Sequence, residues 1–198
     1  QIGDKVNPKT DHVVVAGRRI VASRQYYYIM LHKPRGYVST MSDEMGRKCV
    51  AELVKDIPAR VYPVGRLDRD SEGLLLMTSD GEIINRILRA AGGHEKEYEV
   101  EIDRPVTKEF VEKMSAGVPI LDTVTLPCRV RRTGEKSFNI ILVQGLNRQI
   151  RRVCEALGCN VVRLRRIRIM NVRLGSMRPG QWRELSEEEL SGLMGRLG

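Results

Sequence analysis

Gly65-Arg66-Leu67-Asp68-Arg69-Asp70-Ser71-Glu72-Gly73 runs straight into Leu74-Leu75-Leu76-Met77. Five of the nine leading residues are charged, a glycine closes each end, and the apolar run follows without a spacer. The pattern predicts a polar loop feeding a buried strand. A loop this dense in charge yet tied to the core is either an ordinary surface turn or a site. The rest of the chain has to decide.

Two chemistries fit the loop. Asp68-x-Asp70-x-Glu72-Gly73 has the opening spacing of a calcium-binding EF-hand, but the twelfth position, which should be a bidentate glutamate, is Ser79. The flanking segments do not read as a helix pair, so calcium is rejected. The alternative is a single working carboxylate. Asp68 stands between Arg66 and Arg69, and nearby cations keep an aspartate ionised. Such a carboxylate, beside cations that hold phosphates, is a candidate nucleophile or base acting on nucleic acid. Asp70 and Glu72 read as loop and turn residues.

Composition narrows the partners. From Arg129 to Arg173 there are 12 Lys/Arg and 2 Asp/Glu, a segment charge of +10, while the remainder sums to −1. So uneven a charge favours a polyanion, with nucleic acid the leading candidate. The four cysteines form no C-x-x-C pair and the three histidines are scattered, so no metal site is expected and free thiols in a reducing, cytoplasmic compartment are. No apolar run is long enough for a membrane span, and no signal peptide is visible. The start at Gln1 suggests a trimmed N-terminus. At 198 residues the chain is expected to bury roughly 70% of its unfolded surface, enough for a core.

Along the chain, Val13-Val14-Val15, an Ala16-Gly17 turn and Arg18-Arg19-Ile20 predict a small β element, followed by a linker over 21–25. The main domain opens with a strand over 26–31, a turn over 33–36 and a short strand over 37–40. A helix over 50–55 and a strand over 60–64 lead to the charged loop. Ser79-x-x-Glu82 has capping-box spacing and would start a helix carrying Ile83, Ile84, Ile87 and Leu88. A strand over 96–103 puts Tyr98, Val100 and Ile102 on one face. A helix over 107–115 and strands over 118–121, 123–131 and 137–143 follow. Asn147 would cap a helix through Leu157 with Ile150, Val153, Cys154 and Leu157 inward. That leaves Arg148, Arg151 and Arg152 exposed at its positive end, as if facing an anion. Strands over 160–168 and 171–174, and a helix capped by Ser186-x-x-Glu189, complete the chain. The expected class is α+β: a mixed, largely antiparallel central sheet with peripheral helices.

Gly65-Arg66-Leu67-Asp68 followed by Gly73-Leu74-Leu75 resembles the active-site signature of RNA pseudouridine synthases of the RsuA-like family. Lys33-Pro34, the run from His94 to Tyr98, the run from Gly145 to Arg152, and the run from Arg168 to Val172 agree with that family in order. The runs from Ala116 to Ile120 and from Ile169 to Val172 are most similar to its large-subunit members.

The resemblance implies the pseudouridine synthase fold over 23–198, preceded over 1–22 by the end of an S4-like RNA-binding module. It implies a cofactor-independent isomerase, expected to be a monomer, acting on a loop or flipped uridine of 23S ribosomal RNA, with transfer RNA as a second candidate. Asp68 matches the family's essential aspartate, Tyr98 the tyrosine beneath the target base, and Arg151 the basic residue that pairs with the aspartate. Whether Asp68 attacks C1′ or removes a sugar proton stays open. Arg66, Arg69, Lys33, Arg148, Arg152, Arg165, Arg166 and Arg168 are the expected RNA-binding cations. The competing readings are a non-catalytic RNA-binding or ribosome-assembly factor of the same fold and, more distantly, a metal-dependent nuclease.

Overall fold

The computed structural model describes residues 13–15, 18–20, 26–89 and 93–197. In chain order its first strands are β1 (Val13–Val15), β2 (Arg18–Ile20), β3 (Tyr28–Lys33), β4 (Tyr62–Pro63) and β5 (Glu72–Thr78). Helix α1 (Gly81–Arg89), β6 (Lys96–Ile102) and α2 (Lys108–Ala116) follow, then β7 (Pro119–Ile120), β8 (Thr123–Val124), β9 (Arg129–Arg132) and β10 (Ser137–Leu142). The last elements are α3 (Gln149–Ala156), β11 (Val161–Ile169), β12 (Val172–Arg173), β13 (Trp182–Glu184) and α4 (Glu187–Gly195).

All seven residues of β5 are buried. An apolar run without polar alternation cannot sit at an edge or face water on one side, so it takes a central place in the sheet. The main sheet has the order β13-β3-β5-β11-β6-β10-β9, with β4 on β5 and β12 on β11. Every pairing in it is antiparallel except β5 with β11, where Glu72 and Gly73 stand beside Arg165 and Arg166. Gly73 makes that parallel contact feasible. Its φ is +111°, and a Cβ there would fall 2.3 Å from the Arg166 carbonyl oxygen. The expected mixed, largely antiparallel sheet with peripheral helices is the one observed.

One face of the sheet carries Val100, Phe138, Ile140 and Leu164 under α2 and α3, and Met30, Leu74 and Leu76 with α1 and α4 residues beside them. The opposite face is covered at β3 and β5 by Val50, Val54, Ile57 and Val61. Across β6 and β11 that face carries paired charges instead. Arg163 binds Glu72 at 2.5 Å, Arg165 pairs with Glu99, and Arg168 binds Glu97 at 2.9 Å and Glu95 at 3.0 Å. Arg129 from β9 also pairs with Glu95. Opposite charges directly across strands stabilise an open sheet face.

Local differences from the sequence expectations have local causes. Helix α1 is capped by Asp80, whose Oδ1 accepts from Glu82 N at 3.0 Å, because Ser79 Oγ is already accepting from Tyr27 N. The expected strand over 123–131 is split into β8 and β9 by Leu126-Pro127, since proline cannot donate to a ladder. The segment at 50–53 is a 3-10 turn, and 37–40 contributes only a bridge from Val38 to Cys49. Strand β13 has no counterpart in the sequence reading; three residues are too few to show alternation. The β1–β2 pairing, Val13 with Ile20, matches the expected N-terminal element, while its turn and the 21–25 linker lie outside the described residues.

Candidate active site

The charged loop is tied down at several points. Ser39 Oγ accepts from Leu67 N at 3.0 Å and donates to Leu67 O at 2.8 Å. Gly36 N donates to Arg69 O at 2.7 Å, and Ser71 N to Asp68 O at 3.1 Å. With the buried Leu67 as an anchor and β5 as its exit, the backbone around Asp68 has little freedom.

Asp68 opens onto a cleft of about 390 Å3 on the helical face of the sheet. Tyr98, Leu142, Leu164 and Ile169 line it from the sheet, Val64 and Ile87 from one side, and Arg148 and Ile150 from the other. Its size suits a small ligand or a single nucleobase. The Asp68 side chain is 34% exposed, with Arg148 Nη1 3.5 Å from its Oδ2.

Asp70 organises the cations. Arg148 donates to both of its oxygens, at 3.1 and 3.0 Å, and Arg151 Nε stands 3.3 Å from Oδ2. Arg151 Nη2 also donates to Asp70 O at 3.0 Å and to Ser71 Oγ at 3.3 Å. Burial works to raise the Asp70 carboxyl, but the Arg148 hydrogen bonds and the Arg151 charge hold it below its ordinary value. Arg148 occupies the N-cap of α3 with φ of +50°, a left-handed conformation that costs an L-residue about 1 kcal/mol or more. The fork onto Asp70 holds it there.

The geometry revises several expected roles. Arg151, expected to pair with Asp68, pairs with Asp70, and Arg148 is the cation beside Asp68. Arg151 is not an exposed helix residue either: its side chain is 14% exposed and braces the loop from behind. The cap of α3 is Arg148 in place of Asn147, whose Oδ1 instead accepts from Arg152. Lys33, expected on the RNA surface, is fully buried and donates to Pro34 O and Tyr37 O, both at 2.8 Å. Burial pushes its amine down to about 8 against the attraction of Asp68 and Asp70. Arg168 is buried in its pairs with Glu97 and Glu95, and Arg165 is engaged by Glu99 on the face away from the cleft. Arg166 is buried and lines the cleft floor, with Nε donating to Leu74 O at 2.8 Å. Arg66 lines the cleft and is exposed, and Arg69 is exposed on the loop.

The sequence reading set Asp70 aside as a turn residue, although it holds two arginines. No local signal marks that role, because both partners lie about eighty residues away. Lys96, which is not among the sequence candidates, lines the cleft with Tyr98, a placement implied by strand alternation. Glu72, the third carboxylate of the calcium-like spacing, turns to Arg163 on the opposite face. No cluster of three or more metal-ligating side chains occurs among the described residues.

Comparison with known proteins agrees with this architecture. A family model described as RNA pseudouridylate synthase matches residues 27–156. The chain is 49% identical over 194 residues to the dual-specificity RNA pseudouridine synthase RluF of Escherichia coli K12, covering 97% of the chain but 66% of that protein. It is 34% identical over 199 residues to the ribosomal large subunit pseudouridine synthase B of Bacillus subtilis, covering 98% of the chain and 81% of that protein. A crystal structure of a pseudouridylate synthase superposes with a TM-score of 0.79 at 27% identity, over 96% of this chain and 83% of that one. The chain thus spans about two thirds of the length of RluF.

Proposed function

The chain belongs to the RNA pseudouridylate synthase family, in its RsuA-like branch, and on that premise we propose that it isomerises uridine to pseudouridine within RNA. The observation that carries the reading is Asp68. It is a loop carboxylate held at the rim of a base-sized cleft, 3.5 Å from Arg148, with Tyr98 lining the same cleft.

Asp68 is the group that acts on the ribose, either at C1′ or on a sugar proton. Arg148 sets a positive charge beside it, and Asp70, held in turn by Arg151, keeps Arg148 in position. Tyr98 forms part of the wall against which the target base rests. No cofactor is required, because the reaction only relocates one bond and one proton.

The proposed substrate is a uridine of 23S ribosomal RNA, in a loop or flipped out of a helix at a cost of a few kcal/mol. The names of the relatives support this choice: synthase B of Bacillus subtilis is called a ribosomal large subunit enzyme, and RluF of Escherichia coli a dual-specificity one. Transfer RNA is the second candidate. We assign residues 1–22 to the end of an S4-like RNA-binding module, 23–198 to the catalytic domain, and the working form to a cytoplasmic monomer.

Asp68→Asn tests the assignment. It should abolish pseudouridine formation on ribosomal RNA transcribed without modifications while leaving RNA binding within a few fold. Retained activity in that variant would sink the reading, and an inactive parent protein that binds RNA tightly would favour the non-catalytic factor.

A further inference from the structure

The floor of the cleft carries positive charge that the protein does not neutralise. Four cations line the cleft, Arg66, Lys96, Arg148 and Arg166, against one carboxylate, Asp68. Arg148 is committed to Asp70 and Asp68. Arg166 is 4% exposed, and its Nη2 is buried with no hydrogen-bond partner. The Lys96 side-chain amine has no hydrogen bond or ion pair among the described residues; burial and the Arg166 charge both lower its pKa.

The acids at the start of β6 and just before it offer no relief. Glu95, Glu97 and Glu99 alternate with Lys96 and Tyr98, and all three bind arginines on the other face of the sheet. Two partly or fully buried cations beside one another, without a counter-ion, are unfavourable in a resting protein. The arrangement is explained if the negative charge arrives with the reaction, since groups aimed at charge that develops in the transition state are those that accelerate it.

We propose that Lys96 and Arg166 form an anion seat that stabilises the uracil ring while it is detached from the ribose. This inference rests on the isomerase reading above. Breaking the C1′–N1 bond leaves its electron pair on the base, as an anion spread over N1, O2 and O4. Asp68 either takes the place of N1 on C1′ or removes a sugar proton; the base departs as an anion on both routes. Rejoining forms the C1′–C5 bond and either expels the carboxylate or returns the sugar proton. The C5 proton leaves the base, and N1 gains one. Atoms and electrons balance with no other reactant. The titratable and charged groups sharing the cleft with Lys96 are Arg66, Asp68, His94, Tyr98, Arg148 and Arg166.

Lys96→Met and Lys96→Arg in the 198-residue chain test the seat, using unmodified ribosomal RNA tritiated at uridine C5. Tritium release reports turnover, and filter binding reports affinity. Lys96→Met should lower kcat by about 10²–10³, the usual loss when one such donor is removed. Its RNA Kd should stay within about threefold, and Lys96→Arg should recover most of the rate. The parent rate should fall at alkaline pH as Lys96 loses its proton, and Lys96→Arg should keep its rate there. If Lys96→Met does not fold, the alkaline comparison of parent and Lys96→Arg decides alone. A Met variant with parental kcat overturns the proposal. So does one that loses RNA affinity at unchanged kcat, which would make Lys96 a phosphate contact, or an alkaline limb identical in parent and Lys96→Arg. An inactive parent would bring down the isomerase reading itself, whereas an active parent with an equally active Met variant would bring down only the seat.

Discussion

Arg148 grips Asp70 through both terminal nitrogens while its Nη1 stands 3.5 Å from Asp68. One guanidinium therefore links the residue proposed to react with the residue that holds it in place. A bidentate fork fixes direction as well as distance, so Asp70 sets where the charge beside Asp68 sits.

Asp70→Asn should loosen that fork without unfolding the protein. The expected result is a kcat lowered by roughly tenfold to a hundredfold, in line with the sensitivity of positioned groups to small displacements. Asp70 has a depressed folded-state pKa, so its stabilisation is present above the unfolded value and is lost as pH falls through the folded one. The stability difference between parent and variant should therefore be complete at pH 6 and begin to shrink as the pH falls below about 4 in urea titrations. Its size should stay under about 1 kcal/mol, because the Asp70 side chain is 38% exposed.

Gly73→Ala should be among the most damaging small substitutions. It forces a side chain into a left-handed backbone and against the Arg166 carbonyl at 2.3 Å. A loss of at least about 2 kcal/mol is expected from chemical denaturation. Gly145→Ala is the control, since a Cβ there meets nothing within 4 Å.

Lys33 should leave a mark on the alkaline stability profile. Its folded pKa of about 8 lies below the unfolded value, so between the two the unfolded chain binds the extra proton. Stability attributable to this group then rises with pH across that window, by on the order of 3 kcal/mol in all. Subtracting the profile of Lys33→Met from that of the parent should isolate the rise; a flat difference from pH 8 to 10.5 would contradict it.

The arginines should divide sharply in RNA binding. Arg66→Gln, at the exposed rim of the cleft, should weaken binding and reduce the salt slope of log K by about 0.7–0.9, one phosphate contact. Arg165→Gln should change neither quantity, because that guanidinium is paired with Glu99 on the other face. Filter binding between 50 and 200 mM salt separates the two outcomes.

The sequence by itself was sufficient for the mixed sheet, most of its strands, helix α2, the Ser186 cap of α4, and the prominence of the loop around Asp68. Those features are local. Periodicity, capping residues and an apolar run after a charged loop are all legible within about ten residues. The pairing of cations was not, because a guanidinium reaches whichever carboxylate the fold brings near it. Thus Arg148 stands beside Asp68 where Arg151 was expected, Asp70 is a clamp and not a turn residue, and Lys33 is buried. Several arginines of the +10 segment are spent on Glu72, Glu95, Glu97 and Glu99 across an open sheet face. A charge count along the chain cannot distinguish a cation already paired from one that awaits a partner. Only the tertiary structure separates them, since distance and desolvation are properties of contacts between residues far apart in sequence.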